Sequence, residues 1–268
     1  MRIDGISIIG GHGRDGATEP VGRLDLNMGD VVSLVGPTGS GKTALVNDIA
    51  LFADANTPSG RRLLINGAAP DESFLDDPSL NPIALITQHT TFLSDLPVER
   101  FLLTHARVRR SPRPEAAVAA TVDFANQLTG EPILTDGAMT ELSGGQTRAL
   151  LIADAVVIGN APVVLLDEIE NAGIDRARAL DLLRGYAKIF VFVTHDPGIA
   201  LLSDFRVAMQ GGAMRAILRT TAEERLVARR LMAIDAMLLG LRDRIRGGGR
   251  VGAADIDLTE AAVSGGRA

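Results

Sequence analysis

Two rhythms of apolar and polar residues alternate along this chain. Short, mostly apolar runs at Val31–Val35, Ile83–Ile86, Val163–Leu166 and Ile189–Val193 predict strands covered on both faces, as in a parallel sheet. Residues 2–9 and 21–28 predict two more strands, placed around the glycine-dense turn Gly10–Gly16. Arg62–Ile65 predicts another, ended by the turn pair Asn66-Gly67, while Arg206–Met209 and Met214–Leu218 flank Gly211-Gly212 as a hairpin. The second rhythm is helical. Leu45, Ile49 and Phe52 share one face after residue 43, and Val98–Ala106 and Pro114–Leu128 predict two helices separated by Arg107–Arg113 and closed by Gly130. A further helix is expected from the residues after Leu142 to about Val157, and another over Thr221–Arg246, stopped by Gly247-Gly248-Gly249. Residues 70–82 read as polar loop, residues 92–135 as a small helical lobe, and the Ala- and Gly-rich end as a mobile tail.

Between the strand at Val31–Val35 and its helix lies Gly36-Pro37-Thr38-Gly39-Ser40-Gly41-Lys42-Thr43, which matches the phosphate-loop pattern G-x-x-x-x-G-K-[ST]. Glycines let the backbone turn tightly and bring N–H groups against phosphate oxygens, and the following helix adds the positive end of its dipole. Lys42 is then placed to reach the β- and γ-phosphates, and the Thr43 hydroxyl to hold Mg²⁺. The plain rival, a Gly/Ser turn joining a strand to a helix, does not explain the lysine. Lys42 and Lys188 are the only lysines in a chain that otherwise uses arginine. Two apolar strands also end in chemistry: Val163–Leu166 runs into Asp167-Glu168, and Ile189–Val193 into Thr194-His195.

Composition narrows the class without naming it. With 46% hydrophobic and 22% charged residues over 268 positions, the chain is an ordinary globular protein able to bury one substantial core. It has no cysteine, so disulfides and thiolate metal sites are excluded. A net charge of −6 argues against a broadly basic nucleic-acid surface, and no nucleic acid is expected as partner. No signal peptide is visible at the start, and the longest apolar region, Ala149–Leu166, is broken by Asp154 and Asn160-Ala161-Pro162 and does not read as a membrane span. Any membrane process is therefore expected to be served from the water side.

Taken in order and spacing, these motifs resemble the ATP-binding cassette (ABC) ATPases over about residues 2–220. Walker A is Gly36–Thr43, the Q-loop falls at Gln88, the signature is Leu142-Ser143-Gly144-Gly145-Gln146, Walker B ends at Asp167-Glu168, and the switch histidine is His195. The resemblance implies an α/β fold: a P-loop NTPase core with a mixed, largely parallel sheet, an N-terminal antiparallel β subdomain, an inserted helical subdomain at about 92–150, and a C-terminal helix at 221–246 followed by a tail at 247–268. It implies ATP hydrolysis with Mg²⁺ held by Thr43, Asp167 and Gln88, Glu168 as general base, His195 sensing the γ-phosphate, and Lys42 on the phosphates. Ser143, Gly144, Gly145 and Gln146 would face the nucleotide held by a second copy of the chain, and Asp175 in the D-loop Asn171–Asp175 would cross that interface. A complete site therefore implies a head-to-tail dimer around two ATPs.

The chain also departs from the family pattern. No aromatic residue precedes Walker A, and His12 is the only ring in the turn where adenine is usually stacked; a stacking role and a solvated turn histidine both stay open. Asp167-Glu168-Ile169-Glu170-Asn171 replaces the Asp-Glu-Pro-Thr/Ser run common in transporters. Two features lie outside the motifs. Arg107, Arg109, Arg110 and Arg113 form a basic loop, read here as solvated. Leu226, Met232, Ile234, Met237, Leu238, Leu241 and Ile245 give the last helix an apolar side, whose default is packing on the same chain. Two functions follow from the resemblance: the ATPase subunit of a transporter bound to a separate transmembrane subunit, or a soluble cassette that remodels a cytosolic client, as in metalloenzyme or cofactor maturation. Chromosome-maintenance cassettes are set aside because the interval from Gln88 to the signature is too short for a coiled coil, and two-cassette translation factors because one cassette is present.

Overall fold

The strands β1 (Gly5–Ile9) and β2 (Arg23–Asn27) pair antiparallel, and β3 (Val31–Val35) leads through the glycine loop into α1 (Lys42–Ala50). The chain continues as β4 (Arg62–Ile65), α2 (Ser73–Asp76), β5 (Ile83–Ile86), α3 (Val98–Val108), α4 (Pro114–Leu128), α5 (Gly144–Val156) and β6 (Val163–Asp167). It ends as α6 (Arg176–Arg184), β7 (Ile189–Val193), α7 (Pro197–Leu202), β8 (Phe205–Gln210), β9 (Ala213–Arg219) and α8 (Ala222–Arg246). This computed structural model describes residues 2–77, 79–167, 176–252 and 255–256.

Two sheets result. The small one has the order β2-β1-β4 and is antiparallel throughout; the large one has the order β5-β6-β7-β3-β8-β9. Strands β5, β6, β7, β3 and β8 run parallel, and only the edge strand β9 runs against its neighbour. The mixed α/β architecture and the N-terminal antiparallel sheet agree with the sequence reading. The apolar runs are explained by what lies on each face of the sheet. In β7, Phe190 and Phe192 enter the core beneath the helices, with Leu150, Phe124 and Leu183, whereas Ile189, Val191 and Val193 enter a second core with α1 and the small sheet. A strand wedged between two cores has no solvent face, so it shows no alternation.

Three local expectations need correction. Phe52 is buried, but the helix of residue 45 stops at Ala50 and Phe52 sits beyond it with φ of +52°, stacked against Phe74. The segment 70–82 holds a one-turn helix, α2, rather than loop alone. Helix α8 is capped at Thr221 through a capping box with Glu224, yet Ala228 is its only fully buried residue. Its first half packs on α7, where Met232 lies so close that a Cβ on Gly198 would meet its methyl at 2.8 Å. Farther along, Leu238, Leu239 and Ile245 stay exposed. The Arg206 guanidinium bonds Glu224 at 2.6 Å and, with the Thr221 cap, holds its carboxyl down at about 2. The basic loop of the helical lobe is partly tied down: Arg109 donates to the Ser79 carbonyl, and Arg107 lies 3.8 Å from Glu115.

Lys188, just before β7, is buried, with Nζ donating to Asn160 Oδ1 at 2.7 Å and the Ala161 carbonyl at 3.1 Å. No carboxylate is among those partners, and burial lowers its pKa from 10.5 to about 8. The folded chain thus sheds this proton near pH 8 while the unfolded chain keeps it to about 10.5. Over that window the unfolded state binds more protons, so stability rises with pH, by at most about 3 kcal/mol. Urea unfolding followed by circular dichroism at pH 7.5 and 10 should show this rise in the parent and its loss in Lys188→Met. An equal rise in both proteins refutes the assignment.

Candidate functional site

The parallel strands deliver their C-terminal ends to one edge of the large sheet. Register pairs Leu34 with Val193, Asp167 with Val193 and Ile86 with Leu166. The glycine loop after β3, Thr194-His195 after β7, Asp167 at the end of β6 and Gln88 just beyond β5 therefore stand side by side. Neighbouring strands lie about 4.8 Å apart, so Asp167 is two strand spacings, about 10 Å, from the strand that carries the loop. His195, Gln88 and Thr43 are exposed, and Asp167 is half-buried. Glu168 and Asp175 lie outside the described residues.

The loop itself is shaped by residues that only glycine can supply. Gly36, Gly39 and Gly41 hold φ of +149°, +75° and +101°. A Cβ on Gly36 would meet the Met209 carbonyl oxygen at 2.3 Å, and one on Gly41 would meet Gly212 Cα at 2.7 Å. The β8–β9 hairpin is thus the floor of the loop, and the Gly212 N–H donates to the Ser40 carbonyl at 2.8 Å. Pro37 and Thr38 form its turn, and Ser40 is buried with its Oγ unpaired among the described residues. Lys42 folds back across the loop, donating to the Gly36 and Pro37 carbonyls at 2.7 and 3.2 Å. A buried ammonium over two backbone carbonyls, at the N-terminus of α1, is a site for an anion.

A second helix N-terminus of the kind that can face an anion is that of α5. Ser143 is the N-cap of α5, its Oγ accepting from Gln146 N at 3.3 Å while Gln146 Oε1 accepts from Ser143 N at 2.9 Å. This reciprocal cap consumes both side chains and leaves the Gly144 and Gly145 N–H groups for an external acceptor. Gln146 Nε2 donates to the Pro132 carbonyl, so the hydrogen bonds of this cap stay within the lobe. Among the described residues, the hydrogen bonds of the Ser143–Gln146 cap go to its own residues and to Pro132, not to the phosphate loop. Besides the shared apolar core, Arg148, one turn into α5, links this helix to the sheet edge by donating to the Gln88 carbonyl at 2.8 Å. His105 and Asp154 bond at 2.8 Å between α3 and α5 and stiffen that lobe.

His12 sits where the sequence places it, exposed in the turn after β1. Its ring lies over Gly60, where a Cβ would come within 2.5 Å of Cε1, and its N–H donates to the Ser59 carbonyl at 2.8 Å. Behind this turn is a group that motif reasoning missed. Arg61 is fully buried and bonds both Glu19, at 2.7 and 3.0 Å, and Asp48, at 2.8 Å. The one visible signal was Asp48, an acidic residue between Leu45 and Ile49 on the apolar side of α1. Among the described residues, no cluster of three or more His, Cys, Asp or Glu side chains could hold a metal by itself.

The comparisons with known proteins agree with this arrangement. The family model described as ABC transporter matches residues 22–171, more than half of the chain. The uncharacterized ABC transporter ATP-binding protein MJ0121 of Methanocaldococcus jannaschii is 46% identical over 258 residues, covering 96% of this chain and 98% of its own. The lipoprotein-releasing system ATP-binding protein LolD 1 of Rhodopseudomonas palustris is 30% identical over 226 residues, 79% of this chain and 96% of its own. In fold, the chain resembles cbiO1 from Clostridium perfringens, part of the transporter complex cbiONQ, with a TM-score of 0.62 at 23% identity over 86% of this chain and 96% of that one. It also resembles the dimeric cassette MJ0796 bound to ADP and phosphate, with a TM-score of 0.58 at 18% identity over 81% and 99% of the two chains. With its motifs aligned along one sheet edge and a relative of this identity along nearly its whole length, the chain belongs to the ABC transporter family and is an ABC ATPase.

Proposed function

We propose that this chain is the nucleotide-binding subunit of a transporter and hydrolyses ATP as a head-to-tail pair, each copy completing the other's site. The observation that carries the reading is the row of phosphate loop, His195, Asp167 and Gln88 on one edge, with the signature at the N-cap of α5. Lys42 exchanges its bonds to the Gly36 and Pro37 carbonyls for phosphate oxygens. The exposed Thr43 hydroxyl, the Asp167 carboxylate and the Gln88 amide are oxygen donors of the kind Mg²⁺ takes, and few protein carboxylates are needed because ATP supplies further ligands. When bound, Mg²⁺ neutralises charge between the phosphates. Glu168, immediately after Asp167, orients and deprotonates the attacking water, and His195 meets the γ-phosphate. Gly144 and Gly145 of the second copy supply N–H groups to the same phosphate, and Asp175 lies at the junction between the copies.

Gln88 ties this chemistry to motion. Its carbonyl accepts from Arg148 in α5, so a shift at the γ-phosphate reaches the signature helix through one hydrogen bond. No helix among the described residues is long and apolar enough to cross a membrane. The full-length relationship to an ABC transporter ATP-binding protein supports a separate membrane subunit as partner, with this chain at the cytoplasmic face.

Glu168→Gln should keep ATP binding, accumulate as a dimer in light scattering with ATP and magnesium, and lose at least about 100-fold in turnover. Wild-type turnover in that variant overturns the base assignment. Lys42→Ala should lose nucleotide binding and remain monomeric under the same conditions. Affinity purification from membranes of the native host should recover an integral membrane subunit; a wholly soluble complex with a client protein refutes the transport role.

A further inference from the structure

We propose that Arg61 is a positioning residue for the nucleotide, locking the His12 turn and the phosphate loop into one rigid surface. The proposal rests on the ATP-site reading above and concerns how firmly the base end is held relative to the phosphate end.

The guanidinium has no exposure, and Glu19 and Asp48 have 4% and 5%. Its four bonds reach three separate pieces of chain. Nε and Nη2 donate to the two oxygens of Glu19, Nη1 donates to Asp48 on α1, and Nη2 donates to the Gly212 carbonyl at 2.6 Å. Glu19 passes the connection on, accepting from the Gly11 N–H beside His12 at 2.9 Å and from the Met214 N–H on β9 at 2.5 Å. Asp48 accepts in addition from Ser59 Oγ at 2.8 Å, and the Ser59 carbonyl holds His12. Gly212 closes the circuit by donating to Ser40 in the phosphate loop. From the main chain at His12 to the loop at Ser40, hydrogen bonds run through a network centred on one buried cation.

This arrangement is costly unless complete. Two carboxylates share one guanidinium in the interior, and loss of the cation leaves uncompensated buried charge. A core that needed only apolar filling at this place would not carry three ionised groups. Only a planar fork reaches Glu19, Asp48 and Gly212 together; the single ammonium of lysine does not. The exposed face of the His12 ring, backed by the Gly60 main chain, is thereby held at a fixed distance from the phosphate loop, which limits the ordering cost of binding base and triphosphate at once.

The test compares Kd for Mg-ATP and for magnesium tripolyphosphate, which lacks the base, by calorimetry. The parent should bind ATP at least ten-fold more tightly than tripolyphosphate. In Arg61→Lys, and independently in Glu19→Gln, ATP should weaken about ten-fold while tripolyphosphate stays within two-fold. His12→Ala, an exposed change that leaves the buried cluster intact, should weaken ATP similarly, and adding Arg61→Lys to it should change the ratio no further. Val118→Ala in the helical lobe serves as a control of lowered thermal stability and should leave the ratio unchanged. Parallel loss of both ligands, an unchanged ratio in the folded variants, or additive effects of His12→Ala and Arg61→Lys each overturn the proposal. If the parent binds neither ligand, the ATP-site reading itself fails.

Discussion

A parallel strand must leave its sheet at the same edge as its neighbours, and this constraint arranges everything else in the molecule. Each crossover returns over a face, so both faces of β3, β7 and β6 are covered and their interior residues are apolar except Ser33, which bonds Ser203. Apart from Ser33, hydrogen-bonding side chains gather where such strands end. That is why Asp167, Thr194 and the glycine loop follow directly on fully buried runs, and why their separation is set by strand spacing rather than by loop chance.

The rest of the fold serves to hold objects against that edge. The β8–β9 turn is pressed against the phosphate loop so closely that two of the loop's glycines have no room for a side chain. The small antiparallel sheet contributes the His12 turn, and its alignment on the loop depends on Arg61 and its two carboxylates. Apolar packing alone would leave this junction free to slide, because the second core is non-directional. A buried fork with fixed donor directions fixes the register, at the cost of a charged group that must always find all its partners.

Much of this was legible in the chain, and the parts that were not share a cause. The strands β3, β5 and β7 coincide with their apolar runs, since a run covered on both faces has sharp ends at its first polar residue, and β4 and α4 match their turn and cap signals. Helix α7 was not foreseen: Pro197–Leu202 is six residues, and a short apolar segment carries no period that separates helix from strand. One-turn α2 escaped for the same reason. The Arg61 cluster joins residues 42 apart with Glu19 and ties Glu19 to Met214 across 195 positions. No local pattern distinguishes Arg61 from Arg62, which is exposed and only 3.5 Å from exposed Asp54. The apolar side of α8 was visible, but the pattern could not tell that a short contact with α7 would use so little of it.

The separation of the two anion-binding ends is the feature from which the proposed cycle follows. The side chains of the Ser143 cap are engaged in its own reciprocal bonds. The phosphate loop is equally fixed by its glycines and the hairpin beneath it. In the proposed pair, the two ends act together across a two-fold pairing in which each anion is shared. On this reading the triphosphate is the adhesive between copies, and its hydrolysis removes the group that both ends hold. The hydrogen bond from Arg148 to Gln88 then matters because it is the path by which the lobe carrying the signature registers which nucleotide its own sheet edge contains.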